Sequence, residues 1–97
     1  MSASPVRSNR IIVTVIGHDC VGIIANVATI LADARANILD ISQSIMEEFF
    51  VMIMMVDLEG TTVPFEELRQ RLAKKGEEMG LRIDAQHEDV FKYMHRI

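Results

Sequence analysis

The feature that most constrains the fold of this chain is a run of ten residues, 49–58, in which Asp57 is the one charged residue. Successive side chains of a β-strand point to opposite faces of its sheet, so this run would present two apolar sets. These are Phe49, Val51, Ile53 and Met55 on one face, and Phe50, Met52, Met54, Val56 and Leu58 on the other. Because neither set is suited to water, the run predicts a central strand whose sheet is covered on both faces.

Two further segments have strand patterns. Residues 10–16 are an almost unbroken run of β-branched side chains, which favours a buried central strand. Residues 81–87 alternate instead, with apolar side chains at Leu81, Ile83 and Ala85 and polar ones between them. We expect this last strand to pack one face on the core.

Residues 38–46 precede the central run and are more polar. Their two faces would carry Leu39, Ile41 and Ile45 on one side and Asp40, Ser42 and Ser44 on the other. Such imperfect alternation is typical of a half-exposed edge strand. Only Glu47 and Glu48 separate this segment from residues 49–58, which predicts an antiparallel hairpin.

Three segments carry apolar residues at helical spacing. Residues 22–36 have their stripe at Ile23, Val27, Ile30, Leu31 and Ala34. We expect Asn37 to take the left-handed conformation at the end of this helix. A second helix would begin with Pro64 in its first turn and end at Gly80, with Gly76 inside it at a cost of ~1 kcal/mol relative to alanine. A stripe at Val90, Phe91, Met94 and Ile97 predicts a short terminal helix.

The resulting order, β-α-β-β-α-β with a terminal helix, indicates an α+β fold. Two β-α-β halves joined by a hairpin fit the ferredoxin-like plait, a four-stranded antiparallel sheet with two helices on one face. We expect residues 1–9 to be a flexible tail and residues 10–97 to form a single domain, with residues 88–97 as the C-terminal helix.

The second face of such a sheet has no helices of the plait to cover it. The apolar run at residues 49–58 makes this second face too apolar for water. Ile12 and Ile16 would add further apolar surface to one of the two faces of the sheet. A second copy of the chain, or the terminal helix with Phe91 and Met94, could cover this face. Because two-fold pairing is the commonest assembly and an edge strand also needs a partner, we expect a homodimer. The alternative is a monomer capped by its own terminal helix.

Charge and cysteine content exclude several classes of protein. The net charge is −4 and the sequence pI is about 5.2, which argues against nucleic-acid binding because that requires a basic face. A single cysteine, Cys20, cannot form an internal disulfide, and no stretch is long enough to span a membrane. Residues 1–9 lack the apolar core of a secretory signal. We expect a cytoplasmic protein.

The loop at residues 17–22 is the best candidate for a binding site. Gly17 and Gly22 would let a ligand approach the backbone, and the helix that follows presents free N–H groups and the positive end of its dipole. These features suit a carboxylate or another small anion. The lysine and hydroxyl residue of a nucleotide-binding P-loop do not follow Gly22.

Other residues of this loop allow more than one role. Asp19 could hold a ligand ammonium group or a cation, or it could cap the helix N-terminus. His18 could bind the ligand or face water. The charge of Asp19 disfavours a thiolate at Cys20, which makes that cysteine a poor nucleophile. The spacing of His18, Asp19 and Cys20 does not fit a metal site, so we expect neither a metal nor another cofactor.

The chain resembles the ACT domain family, a group of small-molecule-sensing plaits. Gly17, Asp19, Gly22 and Ile23 match the family's Gly-x-Asp-x-x-Gly-Ile turn, and Asn37 and Ile38 match the Asn-Ile that opens its second strand. The resemblance covers residues 10–87, and the methionine-rich third strand is similar to that of stand-alone ACT proteins related to glycine-cleavage-system repressors. After Asp19 the chain has Cys20 and Val21, where many members have Arg-Pro.

The resemblance implies a non-catalytic regulatory protein, a homodimer that binds an amino acid or a similar small molecule. Its site would be lined by Gly17, His18, Asp19, Gly22 and Ile23, with Asn37 and Ile38 closing it across the subunit interface. The protein it regulates would be a separate partner.

Two alternatives remain from the residues themselves. The apolar surface could bind another protein without any ligand. A small enzyme similar to acylphosphatase has the same plait, but its chemistry needs a cationic clamp in the first loop, and residues 17–22 contain no arginine or lysine.

Overall fold

The computed structural model of the protein describes residues 9–18 and 22–90. The elements follow the predicted order: β1 (Arg10–His18), α1 (Ile23–Asp33), β2 (Asn37–Met46), β3 (Phe49–Asp57), α2 (Phe65–Met79) and β4 (Arg82–His87). β1 continues two residues beyond the predicted end, and α1 is shorter than predicted. Pro64 immediately precedes α2, whereas the sequence placed it within the first helical turn. Helical conformation begins again at residues 88–90, and the remainder of the predicted terminal helix lies outside the described residues.

The four strands form one sheet in the order β2-β3-β1-β4, and every neighbouring pair is antiparallel. This is the predicted ferredoxin-like plait. β3 is hydrogen-bonded to β1 and to β2, which confirms its central position, and β2 is an edge strand as predicted.

The core lies between the sheet and the two helices. β3 contributes one of its two apolar sets to it, with Met52, Met54 and Val56 fully buried. The remaining core side chains come from β1, β4 and the apolar stripes of the helices: Ile11, Val13, Val15, Ile23, Val27, Leu31, Ala34, Leu68, Leu72, Ile83 and Ala85. The alternation predicted for β3 is therefore confirmed.

The opposite face of the sheet, called the outer face below, carries the other apolar set. Ile16, Phe49 and Ile53 expose 41%, 42% and 39% of their surface there, whereas Ile12 exposes 5%. At the same end of the sheet as Ile12, the buried Glu88 forms an ion pair with Arg10 at 3.0 Å. The outer face is thus covered at the Ile12 end and open at the Phe49 end.

β2 differs from the predicted alternation at Leu39. The register passes from Ile38 opposite Val56 to Asp40 opposite Met55, so Leu39 is the extra residue of a β-bulge. Beyond the bulge, Ile41 and Ile45 lie opposite Met54 and Phe50 on the helix side of the sheet. The bulge therefore removes Leu39 from the face that it was predicted to share with them.

The end of α1 corrects a second prediction. Arg35 has a φ of 61°, and it is this residue, not Asn37, that takes the left-handed conformation. Arg35 N–H donates to Ala32 O and Ala36 N–H donates to Leu31 O, both at 2.9 Å. This pair of bonds is a Schellman motif, which fixes where the chain leaves the helix, and Asn37 is free to begin β2.

Gly76 corrects a third prediction. The sequence placed it in an exposed part of α2, but it is buried on the same face as Leu68 and Leu72. A Cβ at this position would lie 2.9 Å from Leu81 O and 3.1 Å from Ile83 Cγ1. The missing side chain therefore lets α2 approach the start of β4.

We predict that Gly76→Ala lowers the free energy of unfolding by about 1–3 kcal/mol, because the added methyl group meets a backbone carbonyl that cannot move freely. Helix propensity alone predicts a gain of ~1 kcal/mol. Urea unfolding distinguishes the loss of stability expected from the close contact from the gain expected from helix propensity. Lys74→Ala, on the exposed surface of α2, is the control. Unchanged or increased stability of Gly76→Ala would contradict the close approach.

At the end of α1, we predict that Arg35→Gly raises the free energy of unfolding by about 0.5–1 kcal/mol, because glycine adopts a positive φ without steric cost. Asn37→Gly in β2 should lower it by a similar amount, since glycine weakens a strand. Thermal unfolding of the two variants measures both effects. If Asn37→Gly, and not Arg35→Gly, raised the free energy of unfolding, Asn37 would be the residue in the left-handed conformation at the end of α1, as the sequence suggested.

Candidate functional site

The N-terminus of α1 follows Gly22, whose φ is 86°. Asn26 donates both its backbone N–H and its side-chain Nδ2 to Gly22 O, each at 2.9 Å. The Asn26 amide bond is the first of the helix ladder, so the N–H groups of the preceding turn have no acceptor within the helix. The first turn contains no acidic residue, and the N-cap residue, Gly22, has no side chain with which to cap the helix. The positive end of this helix therefore has no acidic side chain of its own beside it.

A shallow pocket of ≈ 160 Å³ lies at this helix end, lined by Gly22, Ile23, Ile24, Ala25 and Phe50. None of these five residues is charged. Ile23 is buried in the core, whereas Ile24 exposes 39% of its surface. The pocket thus combines backbone donors with apolar walls, and it is smaller than the ~300 Å³ typical of drug-sized ligands.

Gly17 lies at the end of β1 opposite Phe50. A Cβ on Gly17 would overlap Leu81 Cδ2, because the Leu81 side chain fills the space beside the glycine. The close approach that the sequence suggested for a ligand at Gly17 is made by Leu81 of the same chain.

His18 does not join this pocket. It pairs with Phe49 at the end of the sheet, and the two rings lie on the outer face with centroids 5.2 Å apart. The pocket lies on the helix side, where Phe50 points. In the described structure the His18 ring is therefore on the opposite side of the sheet from the donors of α1.

Asn37 and Ile38 are also remote from the pocket within one chain. Asn37 pairs with Asp57, which in turn lies opposite Arg10, whereas the pocket is at the Gly17 end of the sheet. The seven residue steps from Arg10 to Gly17 correspond to roughly 23 Å along the strand. Asn37 is exposed and Ile38 packs against the core. These two residues can approach the pocket only if they come from another copy of the chain.

Asp19 and Cys20 lie outside the described residues, so the roles predicted for them stay predictions. The N-cap position of α1 is occupied by Gly22, three residues after Asp19. Within residues 9–18 and 22–90, no three histidine, cysteine or acidic side chains are grouped as metal ligands would be.

A second concavity, of ≈ 360 Å³, lies between α1 and α2 and was not predicted. Its polar residues are Asn26, Thr29 and Asp33 of α1 and Lys75 of α2. Lys75 already pairs with Glu78 at 3.0 Å. The three-to-four-residue spacing along α1 was visible in the sequence, but the groove depends on α2 packing beside it.

Two acidic side chains with lowered pKa values, Glu66 and Glu78, lie on the exposed surface of α2. Hydrogen bonds from Arg69 hold the pKa of Glu66 below its usual value, and a hydrogen bond from Lys75 does the same for the pKa of Glu78. Both are pairs within one helix, where solvent screens the attraction. They support α2 locally and lie outside the lining of the α1 pocket.

Comparison with known proteins decides the family. The family model described as "ACT domain" matches residues 9–86, which include the whole sheet up to Gln86 and both helices. The chain belongs to the ACT domain family. It is also 53% identical to a UPF0237 protein of Methanocaldococcus jannaschii, over 92% of this chain and 99% of that protein.

Solved structures agree with this assignment. An ACT domain protein from Streptococcus pneumoniae is 32% identical, with a TM-score of 0.76 over 88% of this chain and 96% of that one. The structure of a putative glycine cleavage system transcriptional repressor has a TM-score of 0.70 at 21% identity, covering 79% of this chain and 44% of that one, and it supports the fold alone. Within the described part of this ACT domain, no helix is long and apolar enough to cross a membrane.

The contact between Gly17 and Leu81 gives a prediction for a double-mutant cycle. Gly17→Ala should lower the free energy of unfolding by about 1–2 kcal/mol, because the methyl group must displace the Leu81 side chain. In a Leu81→Ala background the same change should cost less than ~0.5 kcal/mol. Equal costs in the two backgrounds, measured by urea unfolding, would show that Leu81 does not fill the space beside Gly17.

Proposed function

We propose that this ACT domain protein is a non-catalytic regulator that binds a small carboxylate, an amino acid in the first instance, at the N-terminus of α1. The observation that carries the proposal is the set of N–H groups before Asn26, which lie beside a pocket with no charged lining residue. A helix N-terminus of this kind attracts anions through its free donors and its dipole.

The pocket lining suggests how such a ligand would lie. Its carboxylate would accept hydrogen bonds from the backbone of Ile23 and Ile24, and its side chain would contact Ile24 and Phe50. Asp19, from the loop before Gly22, is our candidate for its ammonium group. Gly17 and His18 would contribute through the backbone of the β1 end, since the His18 ring packs on Phe49.

We further propose that the regulator works as a homodimer. Asn37 and Ile38 can close the site only from a second copy, because roughly 23 Å separates them from the pocket in their own chain. Ligand bound between two copies would favour one arrangement of the dimer, and that population shift would be the signal to a separate protein partner.

A protein-interaction role without a ligand is the second candidate. The exposed Ile16, Phe49 and Ile53 on the outer face favour it, since contiguous apolar surface often marks a protein interface. Acylphosphatase-like catalysis has less support, because the sequence of residues 17–22 supplies no cation for a phosphoryl group.

Ile24 offers the sharpest test of the binding site. Isothermal titration against the twenty amino acids should identify at least one ligand, and Ile24→Glu should weaken it by about tenfold or more, because the new carboxylate occupies the same positive helix end. A glutamate in the first helical turn favours the helix, so this variant should fold.

Ile24→Gln is the matched control, since it has the same shape without the charge. It should weaken binding less than Ile24→Glu does, because it loses the apolar contact of Ile24 with the ligand but adds no competing carboxylate. Absence of heat with every amino acid would remove the ligand from the proposal. Equal losses for Ile24→Glu and Ile24→Gln would show that the positive helix end does not hold the carboxylate.

A further inference from the structure

Burial on the outer face of the sheet increases toward the end where β1 begins. Along β1, Ile16 exposes 41% of its surface, Thr14 is half-buried, and Ile12 exposes 5%. The chain beside β1 follows the same trend, since Gln86 is half-buried and Glu88, directly after β4, exposes 4%. The two strands therefore share a cover at this end of the outer face.

The strands of the sheet do not supply this cover by themselves. Ile12 and Ile53 both lie on the outer face of an inner strand, with a strand on either side, yet they expose 5% and 39% of their surface. Met55 and Gln86 lie opposite Ile12 and shield its flanks, because strand side chains stand roughly perpendicular to their sheet. Its outward end needs a group that lies across the face.

The chain that follows β4 starts at this end. His87 pairs with Ile11, and one step further along Glu88 forms an ion pair with Arg10 at 3.0 Å. Arg10 Nε also donates to Glu88 Oε1 at 3.1 Å. Helical conformation begins at residues 88–90. The ion pair thus fixes the start of a helix beside Ile12, on the buried end of the outer face.

The sequence of this segment is suited to lie on an apolar surface. Phe91 and Met94 are three residues apart, so a helix places them on one face. Lys92 and Arg96 are four residues apart, and a helix places them together on the opposite face. A helix of this pattern buries one stripe and leaves its charges in water.

We propose that the outer face of the sheet is the docking surface for an amphipathic helix formed by residues 88–97 of the same chain. Phe91 and Met94 would pack over the Ile12 end of this face, and the pair of Arg10 with Glu88 would hold the first turn in place. The inference goes beyond the proposed function, because it needs neither the ligand nor a second copy.

The dimensions decide how much of the outer face this helix covers. Ten helical residues span about 15 Å. The four residue steps from Arg10 to Thr14 span about 13 Å along β1. A helix that starts beside Arg10 and runs along the sheet therefore covers the face as far as Thr14. Ile16 and Phe49, which expose 41% and 42% of their surface, lie beyond it.

Thiol labelling of single cysteines maps the cover in the full chain. Met55→Cys and Phe49→Cys, each in a Cys20→Ser background, report on the covered and the open end of the same strand. Replacing Phe91 and Met94 together by serine should raise the labelling rate of Met55→Cys about tenfold or more, because an exposed thiol reacts faster than a buried one. The rate of Phe49→Cys should stay within about twofold.

The matched control replaces Lys92 and Arg96 together by serine, on the opposite face of the helix, and should leave both labelling rates unchanged. An unchanged rate at Met55→Cys after the apolar replacements would overturn the proposal. So would an equal rise at Met55→Cys and Phe49→Cys, since the segment would then support the whole domain instead of covering one end of the face.

A double-mutant cycle tests the contact without a label. Phe91→Ala should lower the melting temperature by about 5 °C or more, because it removes apolar burial in a domain of this size. In a Met55→Ala background the loss should be about half as large or less, whereas a Phe49→Ala background should preserve it in full. Equal losses in the two backgrounds would refute docking at the Ile12 end.

Crosslinking identifies which copy supplies the helix. Met55→Cys combined with Met94→Cys, in the Cys20→Ser background, should react with a short bis-maleimide to give a product of monomer mass. Met55→Cys combined with Arg96→Cys should give much less of it, because Arg96 faces away from the sheet. A covalent dimer from the first pair would show that the helix comes from another copy, and the absence of any product would show that no such helix docks. Either result would overturn the proposal.

Discussion

The position of β3 between β1 and β2 is the constraint on which the rest of the structure depends. A strand with apolar side chains on both faces has to be hydrogen-bonded on both edges and covered on both sides. Met52, Met54 and Val56 satisfy this requirement on the helix side, where they are fully buried. On the outer face, Phe49 and Ile53 remain partly exposed, so the burial that this strand demands is incomplete in one chain.

The candidate site is a consequence of the same arrangement. β1 runs alongside β3 and ends at His18, and α1 begins at Ile23, at the end of the sheet where Phe50 contributes to the pocket. The N–H groups of α1 are unpaired because helix geometry leaves them so, and no acidic residue of its first turn lies beside them. An uncharged lining next to a positive helix end is the basis of the small-carboxylate site that we propose.

Glycines in this fold serve packing as much as flexibility. Gly76 admits the backbone of Leu81 and the side chain of Ile83, and Gly17 admits the side chain of Leu81. One short segment between α2 and β4 therefore depends on two glycines that are far apart in the sequence. The sequence placed Gly76 in an exposed part of α2 and did not reveal the contact of Gly17 with Leu81, because the residue beside each glycine was not identifiable.

The sequence by itself determined the element order, the edge position of β2 and the alternation of β3, because periodicity follows directly from local backbone geometry. It also predicted a break between β1 and α1, since Gly17 and Gly22 interrupt the strand and helix patterns. Only the tertiary structure showed that the His18 ring lies on the outer face, that Asn37 is at the other end of the sheet, and that Leu39 is in a bulge. These depend on which strands pair and in which register, and register is set by contacts between residues distant in the chain.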